Sequence, residues 1–228
     1  MFDIPDTGDG AELPAFAPNG IRVLVGCEYS AVVRDAFRRR GFDAWSCDIL
    51  PTEGDPRWHI QGDLLDVIND GWDMACFHPP CTHLAVSGAR WFKDKQAEQA
   101  EALDFVRALL NAPIKHIALE NPVSIISSRI RKPDQTYHPY HFGLGEVKRT
   151  CLWLKNLPTL TPTNVVPGRE PRVHKMPPGP NRWKERSRTP AGVAEAMSAQ
   201  WGGYIAKAVA ARYARLHRKY ERLLKGRV

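Results

Sequence analysis

Side chains that could do covalent or acid–base chemistry follow several short apolar runs of the sequence, at the point where each run ends. They are Gly26-Cys27-Glu28, Asp48, His78-Pro79-Pro80-Cys81 and Glu120-Asn121-Pro122. A cysteine thiolate is a nucleophile, and a carboxyl group can move a proton or bind a polar ligand. Because ligands of open α/β sheets bind outside the carboxyl ends of the strands, the sequence predicts a site where these residues meet.

The apolar runs alternate with helical patterns from residue 21 onward. The predicted strands are IRVLVG (21–26), FDAWSCD (42–48), WDMACF (72–77), IKHIAL (114–119) and TCLWL (150–154). Residues 31–40 and 93–110 carry apolar side chains at helical spacing. Strands that alternate with helices predict a doubly wound α/β fold with a mostly parallel sheet.

The net charge of +7 is concentrated toward the end of the chain. Residues 1–20 carry four acids and no Lys or Arg, and residues 21–160 are balanced. Residues 161–190 hold seven basic and two acidic residues, and residues 191–228 hold eight basic and two acidic residues. A basic last third is expected if this part faces a polyanion, although a solvated basic tail has the same composition.

Charge and proline content divide the chain into four predicted parts. Residues 1–20 form a loose acidic tail, residues 21–160 a catalytic domain, and residues 191–228 a C-terminal helix that completes it. Residues 161–190 form a small irregular basic lobe, where seven prolines leave no room for a helix or a central strand.

Composition excludes several classes of protein. A hydrophobic content of 43% and a charged content of 25% fit a globular domain, and no apolar run is long enough to span a membrane. The first 20 residues are acidic, unlike a signal peptide. The five cysteines form no CxxC pair, which indicates reduced thiols and a cytoplasmic protein.

Pro79-Pro80-Cys81 after one strand and Glu120-Asn121-Pro122 after the next resemble the cytosine-5 DNA methyltransferases. Further landmarks of that family follow in order: VLVGCEYSAVVRDAF (23–37), Asp48, GDLLDV (62–67), KRTCLWL (148–154), residues 188–195 and QWGGYIAKAVA (200–210). The likeness spans about residues 21–212, with the recognition region reduced to about residues 161–187, as in a compact, phage-like member. His78 stands where the family usually has a glycine.

The resemblance implies methyl transfer from S-adenosylmethionine to carbon 5 of cytosine in DNA, on a Rossmann-like methyltransferase fold. Cys81 is the implied nucleophile, whose thiolate adds at carbon 6 and makes carbon 5 nucleophilic. Glu120 is implied to protonate or hydrogen-bond N3 of the ring, and donation requires a raised pKa. Arg149 is implied to hold the base or the adduct. The base that removes the carbon 5 proton is not identified.

The resemblance also implies which residues hold the cofactor and the DNA. The cofactor residues are Gly26, Glu28, Ser30, Asp48, Asp63, Pro79 and Gly202. The target cytosine leaves the stack, and the DNA-binding residues are Lys175, Arg182, Trp183, Lys184, Arg186 and Arg188. No metal and no membrane partner are expected, and a monomer is favoured.

Several of these residues have a purely structural interpretation. A single cysteine after a strand is often a small buried hydrophobe, Asp48 could cap a turn, and Asp63 could belong to an ordinary Gly-Asp turn. Cys76, His78, Cys81 and His83 could be zinc ligands. However, alternate residues of a strand face opposite sides, so Cys76 and Cys81 are not expected to converge on one metal.

Three other functions fit parts of the sequence. An amino-methyltransferase has an aromatic residue after its proline pair, where this chain has Cys81. Methylation of a free cytosine nucleotide suits a reduced recognition region but does not need the basic last third. An inactive DNA-binding or cofactor-sensing protein would not need Cys81 and Glu120.

Overall fold

The structure is a computed structural model that describes residues 20–225. Its strands are β1 (Arg22–Gly26), β2 (Asp43–Asp48), β3 (His59–Gln61), β4 (Met74–Phe77), β5 (His116–Pro122), β6 (Gln135–Tyr137) and β7 (Thr150–Lys155). The predicted acidic tail lies outside the described residues, except for Gly20.

The described strands form one sheet in the order β3-β2-β1-β4-β5-β7-β6. The strands from β3 to β5 in this order pair in parallel, whereas β7 is antiparallel to both β5 and β6. The chain winds outward from β1 in one direction and from β4 in the other, so the topological switch lies between β1 and β4. The predicted doubly wound, mostly parallel α/β fold is therefore confirmed.

Helices cover both faces of the sheet. They are α1 (Val32–Arg39), α2 (Leu64–Val67), α3 (Gln96–Asn111), α4 (Ile126–Arg129), α5 (Arg172–Lys175), α6 (Arg182–Ser187) and α7 (Ala191–Lys225). One core packs α1 and α7 on the sheet, with Phe37 and Trp201 at its centre. The other packs α3 on the opposite face, around Val106 and Trp153. Within residues 20–225, no helix is long and apolar enough to cross a membrane.

The basic lobe contains the two short helices α5 and α6, so the prediction of a lobe without helix is wrong. The reason is the spacing of the prolines. Pro171 directly precedes the first turn of α5, where its missing N–H costs nothing, and residues 181–187 contain no proline. The segment 177–180 that joins α5 to α6 holds three prolines and is not helical.

Helix α7 crosses the sheet from its carboxyl edge to its amino edge and continues beyond it. Its first residues lie against Phe142, which follows β6, and the ring of Tyr204 lies 6.0 Å from that of His116 at the start of β5. The side chains described from residue 211 onward are mostly exposed. At a rise of 1.5 Å per residue, this last part extends roughly 20 Å. The basic last third therefore divides into two surfaces, on opposite edges of the sheet.

Candidate active site

The Pro-Pro-Cys segment is fixed to the carboxyl edge of the sheet by three backbone carbonyls. The His78 N–H donates to Gly26 O at 2.9 Å, which extends the pairing of β4 with β1. The Asn121 side chain donates to Pro79 O at 2.9 Å and thereby ties this segment to the end of β5. Cys81 O accepts from two N–H groups of the turn that follows.

Among the cysteines, Cys81 is the one with an exposed side chain, whereas Cys47, Cys76 and Cys151 are buried. Cys27 is intermediate in exposure, and burial together with the nearby Asp48 carboxylate raises the pKa of its thiol. Burial also raises the pKa of Cys76. A nucleophilic thiol must be reachable and able to ionise, and Cys81 meets the first requirement best.

Glu120 lies next to this segment and forms a nearly buried pair with His78. The distance from His78 Nδ1 to Glu120 Oε2 is 3.4 Å. Burial alone would raise the pKa of Glu120, but His78, with help from Lys148 and Tyr137, holds it below its usual range. The expectation that Glu120 has a raised pKa is therefore wrong, because His78 replaces the usual glycine and supplies a cation.

The sequence pattern assigns no role to Lys148 or Tyr137, yet both interact with Glu120. Tyr137 belongs to the three-residue strand β6, and its hydroxyl interacts with Glu120 and Thr150. Lys148 acts electrostatically on Glu120 and His78. His78 stands out in the sequence as a departure from the family pattern, whereas nothing in the sequence indicates that Tyr137 faces Glu120.

Arg149, which was predicted to hold the base or the adduct, does not interact with Glu120. Its side chain is exposed and acts electrostatically on His138 and Cys151. Lys148 acts electrostatically on Glu120, whereas the groups that act on this carboxylate do not include Arg149. The structure brings Lys148 to this carboxylate and does not bring Arg149 there.

The turn between β1 and α1, residues 27–31, is tight although it contains no glycine. Cys27 and Ala31 adopt left-handed backbone conformations, with φ of 58° and 62°. Ala31 has no side chain that could cap α1, and Glu28 performs this task. Its carboxylate accepts from the Val33 N–H at 2.7 Å and the Arg34 N–H at 3.1 Å. Glu28 therefore caps α1, because a helix start without a capping residue needs an acceptor. Its predicted cofactor role stays a prediction.

Other predicted cofactor residues lie at this edge of the sheet. The Ser30 hydroxyl donates to Glu28, 3.3 Å away. Gly26 sits where an added Cβ would lie 2.5 Å from the side chain of Leu64, so a larger residue would not fit. Pro79 is buried below the Cys81 turn.

Two carboxylates stand together at the ends of β2 and β3. Asp48 Oδ1 accepts from the Leu50 N–H at 3.0 Å, and Asp63 caps α2 by accepting from the Leu65 N–H at 2.9 Å. Burial raises the pKa of Asp48. The Ile49 side chain between them in sequence is 76% exposed. Carboxylate acceptors beside an exposed apolar side chain fit a nucleoside, which has hydroxyl and amino donors and a flat ring.

Gly202 is far from these residues. An added Cβ would lie 2.7 Å from the ring of Phe42, which precedes β2 at the amino edge of the sheet. The predicted cofactor role does not agree with this position. Gly202 instead allows α7 to approach the core closely, beside Phe37 and Phe42.

The basic lobe covers part of the carboxyl edge through α6. The Tyr29 hydroxyl donates to Lys184 O at 3.1 Å, and the rings of Tyr29 and Trp183 lie 5.7 Å apart. Lys148 Nζ donates to Arg186 O at 2.9 Å. The lobe is therefore joined to the turn after β1 and to the cation beside Glu120.

The predicted DNA-binding side chains differ in their availability. Trp183 is 49% exposed and Lys175 is exposed, whereas Arg188 pairs with Glu53 at 2.6 Å. An open depression of about 330 Å³ lies on this lobe. Its lining residues are Pro178, Gly179, Arg182, Trp183 and Arg186. Cations next to an exposed aromatic ring can contact phosphates and stack with a base.

Within residues 20–225, no group of three or more His, Cys, Asp or Glu side chains could hold a metal ion.

No protein-family model matches the chain, and no curated protein is similar to it in sequence.

A solved structure similar to this one is described as a candidate DNA modification methyltransferase encoded within a prophage of E. coli. It is 17% identical, with a TM-score of 0.44, and the match covers 65% of this chain and 52% of that protein. The chain thus spans about half the length of its structural neighbour.

Proposed function

We propose that this protein transfers a methyl group from S-adenosylmethionine to carbon 5 of cytosine in DNA, through a covalent adduct with Cys81. The observation that carries the proposal is the position of the exposed Cys81 thiol, on a segment that Asn121 fixes to the strand bearing Glu120. The resemblance of these two segments to the cytosine-5 DNA methyltransferases supports the same assignment.

The two side chains divide the activation of the base between them. The Cys81 thiolate adds to carbon 6, which moves electron density to N3 and makes carbon 5 nucleophilic. An ionised Glu120 can accept a hydrogen bond from the exocyclic amine of cytosine, as carboxylates do when they recognise this base. Lys148 offers a cation next to this carboxylate, and Arg149 remains available for the flanking phosphate or sugar.

S-adenosylmethionine supplies the methyl group. Asp48 and Asp63 are the residues that would accept hydrogen bonds from its ribose and its adenine, with Ile49 against the ring. Gly26 keeps the backbone of the first turn close to this edge. Capping by Glu28 fixes the start of α1 and so keeps this turn in place.

The lobe is the proposed DNA-binding surface. A target cytosine inside a duplex must leave the stack to reach a buried carboxylate such as Glu120. The exposed Trp183, beside the cations of α6, is suited to contact the DNA around this position. Since the lobe holds two short helices, it can position few side chains against base edges, so we expect a target of only a few base pairs.

The test has two measurements on the full chain. Incubation with DNA and methyl-labelled S-adenosylmethionine, followed by nucleoside mass spectrometry, should yield 5-methylcytosine. A product labelled on an amino group, or labelling of free nucleotide but not of DNA, would contradict the proposal.

DNA that carries 5-fluorocytosine should trap a covalent complex, because fluorine cannot leave as a proton does. Cys81→Ala should abolish this complex, and the buried Cys76→Ala is the matched control that should still form it. A complex that survives Cys81→Ala would overturn the assignment of the nucleophile.

A further inference from the structure

Polar groups from different elements lie around the nearly buried pair of His78 and Glu120 at the carboxyl edge. Glu120 from β5 lies 3.4 Å from His78 Nδ1, and Glu28 from the turn after β1 acts on the ring electrostatically, as does Lys148 before β7. Tyr137 from β6 interacts with Glu120, and Cys76 lies buried near both carboxylates.

The carboxylates decide the charge of this imidazole. Burial opposes the protonated form, but Glu120, supported by Glu28, outweighs it and raises the pKa of His78. The pKa of Glu120 is lowered by the same contact. Both shifts favour a proton on His78 and a negative charge on Glu120.

This distribution creates a requirement for the reaction. When a thiolate adds to carbon 6, N3 of the cytosine becomes basic and needs a proton. Glu120 is ionised and has none to give. His78 Nδ1 lies 3.4 Å from Glu120 Oε2, and neither this oxygen nor His78 Nε2 has a hydrogen-bond partner among the described residues. Nδ1 is therefore the ring nitrogen placed to pass a proton to the carboxylate, and Oε2 is free to accept it.

We propose that His78 stores the proton for the methyl transfer and delivers it through Glu120 to N3 of the target cytosine. This inference rests on the proposed function. As the bond from Cys81 sulfur to carbon 6 forms, the ring electrons move to N3. Nδ1 of His78 gives its proton to the Glu120 carboxylate, and Glu120 passes a proton to N3.

The store is refilled in the same cycle. Carbon 5 takes the methyl group and then gives its proton to a base. The electrons of the broken carbon–hydrogen bond form the double bond between carbons 5 and 6, and Cys81 leaves as the thiolate. N3 then gives its proton back to Glu120, and Glu120 returns it to His78. His78 acts through Glu120 and is a positioning residue in this reaction, not a group that touches the base.

The first test does not depend on activity. In the full chain, the ring nitrogens of His78 are followed by NMR across a pH titration, in the wild type and in Glu120→Gln. We expect the midpoint to lie above the ordinary range for histidine and to fall by about 1–3 pH units in Glu120→Gln, as for loss of an adjacent opposite charge. A ring that is neutral at pH 7 in the wild type would refute the proton store.

The second test measures methyl transfer against pH. In the wild type, the rate should fall as the pH rises through the raised pKa of His78, because the stored proton is then lost. His78→Gln should lower kcat by about 100- to 10,000-fold, the usual contribution of general acid catalysis. It should also remove this alkaline fall and leave DNA affinity unchanged. His217→Gln, an exposed histidine on the distal part of α7, is the control.

The outcomes separate the two proposals. An active wild type with a His78→Gln profile of unchanged shape would overturn the proton store alone, since a structural role of His78 lowers the rate equally at every pH. A folded wild-type protein that methylates no cytosine would overturn the proposed function and the store with it. If His78→Gln does not fold, the NMR titration decides.

Discussion

Two neighbouring glycines of α7 allow the packing of this helix to be tested by a matched pair of substitutions. A Cβ on Gly202 would lie 2.7 Å from Cζ of Phe42, whereas a Cβ on Gly203 would have nothing within 4 Å. Gly202→Ala and Gly203→Ala therefore share the same gain in helix propensity and differ only in the contact with the core.

The expected difference can be worked out from these distances. Carbon atoms prefer a separation of about 3.5–4.0 Å, so the Phe42 ring must move by about 1 Å. It packs edge-on against Phe37, with 5.5 Å between ring centroids, and has little space to do so. Overpacking of this kind costs about 1–3 kcal/mol, and replacing glycine with alanine in a helix gains about 1 kcal/mol.

We therefore expect Gly203→Ala to stabilise the protein by about 1 kcal/mol and Gly202→Ala to lie about 1–3 kcal/mol below it. For a domain of this size, each kcal/mol corresponds to about 2–4 °C in Tm. Urea unfolding and thermal unfolding of the full chain measure both values.

Equal stability of the two variants would refute the tight contact between Gly202 and Phe42. Binding of S-adenosylmethionine provides an independent readout, and it should be unchanged in both variants. If Gly202→Ala weakened cofactor binding without any loss of stability, the cofactor role expected from the sequence would be restored.

Other predictions concern the cofactor and the two basic surfaces. Asp48→Asn should weaken the binding of S-adenosylmethionine by roughly 10- to 100-fold in calorimetry, because a charged acceptor becomes neutral, while Asp70→Asn at an exposed turn should not. Alanine at three lobe cations should weaken DNA binding and flatten the plot of log affinity against log salt by about 0.9 for each phosphate that is no longer neutralised. These cations are Arg182, Lys184 and Arg186. Alanine at three cations of distal α7 (Arg212, Arg215 and Arg218) should leave the methyl transfer rate unchanged. A slower rate would show that both basic surfaces bind the same DNA segment.

The separation of the two basic surfaces follows from topology and not from charge. Residues 161–190 follow β7 and fold back over the carboxyl edge, where Lys148 holds the carbonyl of Arg186. Helix α7 then runs to the amino edge, where Tyr204 meets His116. A sum of charges along the sequence treats both parts alike, although one lies beside Glu120 and the other points away from it.

The sequence alone was sufficient for the α/β class, for the five longer strands and for the edge at which Cys81 and Glu120 meet. Period and length identify buried parallel strands, and the topology of such strands brings their carboxyl ends together. The three-residue strands β3 and β6 were not predicted, because three residues carry too little pattern. The antiparallel direction of β7 was not predicted either, because the direction of a strand in a sheet is set by tertiary packing.

Only the tertiary structure decided the electrostatics of the site. His78 and Glu120 are 42 positions apart in sequence, and their contact reverses the shift expected for the pKa of Glu120. The same holds for Lys148 in place of Arg149, and for Glu28, whose carboxylate turns to the start of α1. A residue's type and position in a strand follow from local pattern, but its charge state depends on neighbours that the fold brings within a few ångströms.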